Sequence, residues 1–366
     1  VKHALFCILL LLTGCSSLAA GGDAVPEPSA TEQTVVQVAD STAGVEVVPT
    51  FTPTTALPAT VTPTSTPIPI PTATPTPDPY AGLTVMDLMV REYGAGVLQI
   101  EQVLGVSQAF TRTLISYPSD GLTVYGFMNV PPGPGPFPVV IVNHGYIDPA
   151  VYTTLTYTTR YADALARNGY IAIHPNFRNY PPSDPGPNAF RVGYAVDVLT
   201  LIGLVRAQGG QPGPLAGADP ERIGLWGHSM GGGVSLRVST VSPHVDATVL
   251  YGSMSGDEVR NHERILFFSD GARGSWADGS APSAADLLRL SPIYHLGAIN
   301  AAISIHHGQF DEQVPLDWSL DLCERLQALE KDVECFVYDG QPHTFVGEGD
   351  ALFIQRTVSF FDRYLK

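Results

Sequence analysis

Arg222-Ile223-Gly224-Leu225-Trp226-Gly227-His228-Ser229-Met230-Gly231-Gly232 decides the fold. Its first half is an apolar run of the kind that forms a strand buried on both faces. The residues from Gly232 to Val241 read as a helix. Between them, Gly227-His228-Ser229-Met230-Gly231 spells G-x-S-x-G, and a strand–sharp turn–helix setting makes that short pattern a nucleophile elbow. The glycines flanking Ser229 tolerate the tight backbone, so the hydroxyl projects at the strand end. A chain built this way is expected to make and break acyl bonds through a covalent serine intermediate.

A serine hydroxyl is a weak nucleophile at neutral pH and needs a base. The base needs a carboxylate to fix its tautomer and stabilise its charged form. Downstream partners in the order acid, then histidine, are both present. Asp311 follows the apolar strand Ile303-Ser304-Ile305-His306-His307 and a Gly-containing loop. His343 follows the strand ending at Tyr338. Asp311 competes with Glu312, Asp317 and Asp321, the last two expected on the following helix as solvated charges. His343 competes with His295, His306 and His307. Adjacent residues on a strand point to opposite faces, so His306 and His307 read as structural rather than as a metal pair. His144 and His228 read as loop-packing residues. The oxyanion needs two backbone donors. Met230, after the nucleophile, and Tyr146, after Val139–Asn143, are the candidates, with the Tyr146 hydroxyl as an alternative donor. Arg178 stands after the strand Ile171–Pro175, where it could contact a substrate carboxylate or pin the Tyr180-Pro181-Pro182 loop.

Strands are expected at Thr111–Ser116, Leu122–Asn129, Val139–Asn143, Ile171–Pro175, Ile223–Gly227, Ala247–Tyr251, Ala302–His306 and Val333–Tyr338. The first two alternate polar and apolar residues around Asp120-Gly121, as an edge hairpin would. Helices are expected at Tyr157–Asn168, Val192–Ala207, Gly231–Val241, Leu316–Leu329 and Ala351–Tyr364, with a further N-terminal helix over Leu83–Leu104. This alternation predicts an α/β fold with a mostly parallel, eight-stranded sheet and helices on both faces. Residues 253–290 interrupt the alternation as a small lid insertion. Its Phe267, Phe268 and Trp276 either shape an apolar pocket over Ser229 or simply pack on the domain.

His144-Gly145, Gly227-His228-Ser229-Met230-Gly231-Gly232, Ser291-Pro292, His307-Gly308 through Asp311 with Val314-Pro315, and His343-Thr344-Phe345 run in one order over residues 110–366. The set resembles the catalytic domain of prolyl oligopeptidases and their small α/β-hydrolase relatives, the dienelactone-hydrolase-like esterases among them. The resemblance implies the α/β-hydrolase fold, with Ser229 as nucleophile, Asp311 as acid and His343 as base. Many relatives have His-Gly-Gly where this chain has His144-Gly145-Tyr146. Full-length prolyl oligopeptidases also carry a β-propeller, which nothing before residue 81 is expected to build.

Residues 1–14 read as a secretory leader: Lys2 starts it, Ala4–Leu12 is its apolar core, and that core is shorter than the ~20 residues a membrane span needs. Leu12-Thr13-Gly14-Cys15 resembles a bacterial lipobox, which would make Cys15 the lipidated first residue. Residues 15–80 read as a disordered tether. From Pro49 to Pro79, 21 of 31 residues are Pro or Thr, and such a segment cannot bury enough apolar surface to order itself. Extended, it could reach on the order of 200 Å. Cys323 and Cys335 remain, on an expected helix and the next strand, either as a disulfide in an oxidising compartment or as two buried thiols.

Residues 81–366 suffice for one catalytic domain. The net charge of −16 argues against nucleic acid as a partner, and a membrane is expected to be met only through the lipid anchor. No metal or organic cofactor is called for. The expected activity is hydrolysis of a small peptide or ester by a serine mechanism. A carboxylesterase of dienelactone-hydrolase or acetyl-ester type is the enzymatic alternative, and a non-catalytic cell-surface binding protein is the alternative of another class.

Overall fold

The computed structural model describes residues 77–273, 276 and 281–366. The expected leader, Cys15 and the tether up to residue 76 lie outside the described residues. Strands β1 (Gln99–Val106), β2 (Thr111–Ser119), β3 (Leu122–Val130), β4 (Phe137–Asn143), β5 (Ile171–Pro175), β6 (Ala218–His228), β7 (Ala247–Tyr251), β8 (Ala302–Gly308) and β9 (Val333–Tyr338) form one sheet in the order β1-β2-β3-β5-β4-β6-β7-β8-β9. β1, β2 and β3 pair antiparallel, and β3 pairs antiparallel with β5. From β5 across to β9 every pairing is parallel. The parallel strands β5, β7 and β8 are buried along their whole length, which is why their sequences are continuous apolar runs rather than alternating ones.

The sheet has nine strands, not eight, and the expected helix over Leu83–Leu104 is corrected. Only Val85–Val90 (α1) is helical, capped by Thr84 and Asp87 in a reciprocal capping box. Gly94 and Gly96 then adopt left-handed φ angles of 88° and 96°. A Cβ on Gly94 would lie 2.4 Å from the Gly203 backbone. The helix therefore ends before this close approach, and Gln99–Val106 pairs with β2 as an edge strand. Its register shifts between Ile100 and Gln102 and again between Val103 and Gly105. The β2–β3 turn uses Asp120 and Gly121 at φ 55° and 76°, the paired positive φ of a type I′ hairpin.

Two cores sandwich the sheet. α2 (Thr159–Arg167) and α8 (Gly347–Leu365) cover one face. α8 buries Phe353, Thr357, Phe360, Phe361 and Leu365, a helical stripe in which each large apolar side chain contributes about 1.5–3 kcal/mol. α1, α3 (Val192–Gln208), α4 (Met230–Val241) and α7 (Leu316–Ala328) cover the other. α3 buries residues on every side of its axis, among them Asp197, which pairs with buried Arg178 at 2.7 Å. A disulfide joins Cys323 on α7 to Cys335 on β9, with Cα atoms 6.4 Å apart.

Residues 253–290 carry two helices, α5 (Glu258–Phe268) and α6 (Ala284–Leu290). α5 is fastened at its start: buried Glu258 pairs with Arg237 of α4 at 2.6 Å and also with Arg191. Its far end leaves Phe267 and Phe268 exposed. Trp276 stacks on His262 at 3.6 Å.

The chain leaves β4 toward β5 on one side and returns from β5 to β6 on the other. Strand order therefore reverses at β4, and the crevice beyond the carboxyl ends of β4 and β6 is where open α/β sheets place a ligand.

Candidate active site

Ser229 sits in that crevice, between the end of β6 and the first turn of α4, at φ 55° and ψ −119°. A non-glycine residue held at positive φ is costly and persists where its surroundings over-determine it. Those surroundings are specific here. The Ser229 amide donates to Tyr251 O at 2.9 Å, and the Ser229 carbonyl accepts from Gly232, Gly233 and Met254 amides at 3.0, 3.2 and 3.0 Å. The turn also needs bare backbone beside it: a Cβ on Gly227 would lie 2.3 Å from Gly231 O, and one on Gly231 would lie 2.2 Å from Asn143 O.

Asp311 lies three residues past β8, with its side chain fully buried. Its Oδ1 accepts from the amides of Gln313 and Val314 at 2.9 and 2.8 Å. Its Oδ2 is 2.7 Å from His343 Nδ1. Burial works to raise the Asp311 pKa. The bonds from His307, His343 and the Val314 amide outweigh it and hold the carboxyl well below its ordinary range, so the group is an anion. Of the competing acids, Glu312 meets His343 at its backbone amide, at 3.4 Å, and not at its ring. Asp321 pairs with Arg260 and Arg325, each at 2.8 Å.

His343 is buried in the loop after β9, with its ring tilted against that of His228, centroids 4.5 Å apart. His228 donates from Nε2 to the His343 carbonyl at 3.0 Å. Burial, then the neighbouring His343, push the His228 pKa well below its ordinary value, so this ring is neutral and packs the loop rather than acting as a base. Gly252 closes the arrangement. It sits at φ 46°, and a Cβ there would meet both Asp311 Oδ2 and His343 Nδ1 at 3.2 Å. The segment Tyr251–Met254 thus binds the Ser229 backbone on one side and lies against the Asp311–His343 pair on the other.

His144 fixes the loop after β4. Its ring is enclosed by Tyr152, Phe177 and Tyr180 at 5.0, 4.7 and 4.6 Å, and its Nε2 lies 2.9 Å from Asn176 O. Burial lowers its pKa. Gly145 is next, so close that a Cβ on it would be 3.1 Å from Ser229 Cβ. Among the described residues, no acceptor takes the amide of either Tyr146 or Met230. Both residues line a cleft of about 640 Å³ with Ser229, Phe190, Phe268 and Trp318. The Tyr146 ring carries the Arg273 guanidinium at 4.3 Å.

Three residues outside the expected set shape the site. Gly252 lacked any motif of its own, and only its position after β7 could have marked it. His307 touches Asp311, a contact taken up below. Arg191, which lines the cleft, follows Phe190 in a left-handed pair at φ 61° and 53°. Arg178 is not at the cleft: Asp197 and Pro187 O hold it, so it pins its loop. His306 faces away from His307, bonded to Tyr338 and Ser304 at 2.8 Å each.

A reversing parallel sheet with a serine on a strained β6–α4 turn, and an acid and a histidine on the loops after β8 and β9, is the architecture of the α/β hydrolases. Within that class the chain belongs to the dienelactone hydrolase family, whose profile matches residues 124–364. It is 23% identical over 241 residues to a Synechocystis protein named as a carboxymethylenebutenolidase, covering 64% of this chain and 85% of that one. Among solved structures it resembles the acylaminoacyl peptidase of Pyrococcus horikoshii (TM-score 0.58, 20% identity, 70% of this chain and 42% of that one). It also resembles a puromycin-hydrolysing peptidase of Mycobacterium tuberculosis (0.56, 19%, 71% and 40%). An esterase of Pyrococcus furiosus matches over its whole length (0.55, 16%, 75% and 100%). The chain thus spans about two fifths of each peptidase, and the shared feature is the α/β-hydrolase fold.

Proposed function

We propose that this chain is a serine hydrolase that cleaves small carboxylic esters through an acyl-enzyme on Ser229. The observation that carries the reading is the 2.7 Å pairing of buried Asp311 with His343 Nδ1, packed against the segment that also holds the strained Ser229 turn. The pairing puts the Nδ1 proton toward Asp311 and leaves His343 Nε2 free to accept a proton. In the proposed reaction His343 takes the Ser229 Oγ proton as Oγ bonds to the acyl carbon. The tetrahedral oxyanion is received by the Tyr146 and Met230 amides. His343 then protonates the leaving alkoxide as its bond to the acyl carbon breaks. Water then attacks the acyl carbon as His343 takes its proton; the bond from that carbon to Ser229 Oγ breaks, His343 returns the proton to Oγ, and the carboxylic acid leaves. Losing one oxyanion donor typically costs about 10²–10³ in turnover. Every step here uses side chains, backbone amides and water.

Peptide cleavage is the second reading. It is favoured by the ordered motif series from His144 to Phe345, which resembles the prolyl oligopeptidase catalytic domain. It differs chemically in the poorer amine leaving group, which demands firmer protonation by His343. A fluorophosphonate probe tests the serine mechanism: the expected result is one adduct on Ser229, absent in Ser229→Ala. No labelling of the folded protein would overturn it. Side-by-side p-nitrophenyl esters and aminoacyl p-nitroanilides separate the two readings.

We place the enzyme outside the cytoplasm, tethered through Cys15. The leader-like residues 1–14 and the Cys323–Cys335 disulfide support an oxidising compartment. Labelled fatty acid retained by the wild type and lost in Cys15→Ala is the expected outcome. Equal labelling of both would remove the anchor.

A further inference from the structure

The fourth histidine of the site neighbourhood does not belong to the triad. His307 occupies β8, on the face turned toward α7, and is 1% exposed. Its Nδ1 is 2.7 Å from Ser319 Oγ on α7. Its Nε2 lies 3.0 Å from Val314 O and 3.1 Å from Asp311 Oδ2. A carbonyl and a carboxylate both demand a donor, so the ring proton is on Nε2. The Ser319 hydroxyl then donates to Nδ1 and holds that tautomer. One N–H faces two acceptors, and both belong to the loop of the acid. Val314 in turn donates its amide to Asp311 Oδ1 at 2.8 Å. His307 therefore braces Asp311 twice, directly at Oδ2 and through the Val314 peptide at Oδ1.

We infer that His307 is a positioning residue for the reaction, set by Ser319, which fixes the Asp311 carboxylate in the plane and at the distance that His343 requires. The inference rests on the serine-hydrolase reading and extends it to a residue that contacts no substrate. Oδ2 is shared between two imidazoles: His343 at 2.7 Å and His307 at 3.1 Å. A carboxylate that loses one donor keeps more charge for the other. Without His307 the remaining Asp311–His343 hydrogen bond strengthens electrostatically while its geometry loosens. The other groups around this pair are Glu312 on the β8–α7 loop and His228 at the elbow, with Ser319 on α7 behind His307. None of these supplies a replacement donor to Oδ2.

The helix that carries Ser319 is itself fixed. Cys323 lies one turn further along α7 and is bridged to Cys335 on β9, the strand that leads into the His343 loop. The brace on the acid and the strand that delivers the base are thus covalently joined through one helix.

The test is the rate of Ser229 labelling by a fluorophosphonate, followed against pH in the full chain, because it needs no known substrate. Wild-type protein that does not label removes the serine reading itself. With labelling established, His307→Leu should lower the rate by up to about 100-fold, the scale of an ångström-level misplacement, and move the acid limb of the profile to higher pH. His307→Gln keeps an N–H donor and should recover most of the rate and the wild-type limb. Ser319→Ala, a small change that leaves the packing in place, should fall between them, which covers a His307→Leu that fails to fold. Equal rates and limbs in wild type and Ser319→Ala, or equal losses in the Leu and Gln variants with native melting temperature, would overturn the assignment.

Discussion

Around Asp311, four donors reach two carboxylate oxygens within 3.1 Å, and the side chain is sealed from solvent. The end of α5 is the opposite case: Phe267 is 69% and Phe268 53% exposed, and Phe268 lines the cleft that holds Ser229. The two regions are joined, since Arg264 on α5 donates to the carbonyls of Glu312 and Gln313. The difference lies in what each must hold constant. In the proposed mechanism the floor holds a proton path, and both Asp311 carboxylate oxygens are saturated. The wall needs only a shape: α5 is pinned at Glu258 and through Arg264, while its last two aromatic side chains stay exposed. Segments with few buried contacts open at low cost, and loops on a rigid scaffold are where substrate preference is set. On this view the floor decides the reaction and the wall decides the substrate.

The largest test of that division is Ser229→Ala. Turnover should fall by about a millionfold with an unchanged melting temperature; residual turnover above a tenth would break it. Asp311→Asn should lower kcat by about ten-thousandfold through the wrong His343 tautomer and leave KM nearly unmoved. Equal losses in kcat and affinity would mean that Asp311 binds substrate instead. Glu258→Gln probes the hinge between the regions. It takes the carboxylate from Arg237, which is only 2% exposed, and breaking a buried pair costs roughly 3–5 kcal/mol, read by urea unfolding. Phe268→Ala should change the ratio of kcat/KM between bulky and acetyl esters by about tenfold, with no change in stability. A constant ratio would show that the wall is inert.

The smallest expected signal is in pH. Burial raises the Asp311 pKa, but its hydrogen bonds lower it further, to well below the ordinary 3.8. The folded value is the depressed one. Its stabilisation is therefore complete above the unfolded value and is lost as pH falls below about 4 toward the folded one. The stability gap between wild type and Asp311→Asn should narrow as pH is lowered from 7 to 3. A constant gap would show that the carboxylate's charge does not stabilise the fold.

Much of this was legible in the sequence because the informative residues fall where strands end. Continuous apolar runs marked the parallel strands, and G-x-S-x-G in strand-to-helix context marked the elbow. β1 was hidden because Leu and Met residues between 83 and 104 fit a helical stripe. The contrary signal was Gly94 and Gly96, whose close approaches to Gly203 and to Pro118 respectively are tertiary facts. The alternation rule put His306 and His307 on opposite faces, as observed. It carried no information on which neighbour each would meet, so the contact of His307 with Asp311 was invisible. The Glu258–Arg237 pair joins residues 21 positions apart with no local pattern to announce it. Arg178 was ambiguous in sequence because Asp197 is brought to it by the packing of α3.

The outermost strand has a consequence for crowding. β1 leaves Ile100, Val103 and Val106 at the open margin of the sheet, 46%, 56% and 76% exposed. A flat margin of that kind would invite a neighbouring molecule to add its own strand and extend the ribbon without limit. The two slips in β1 pairing, after Ile100 and after Val103, twist the margin away after every few residues. Many copies held side by side would in this way resist growing into a fibre.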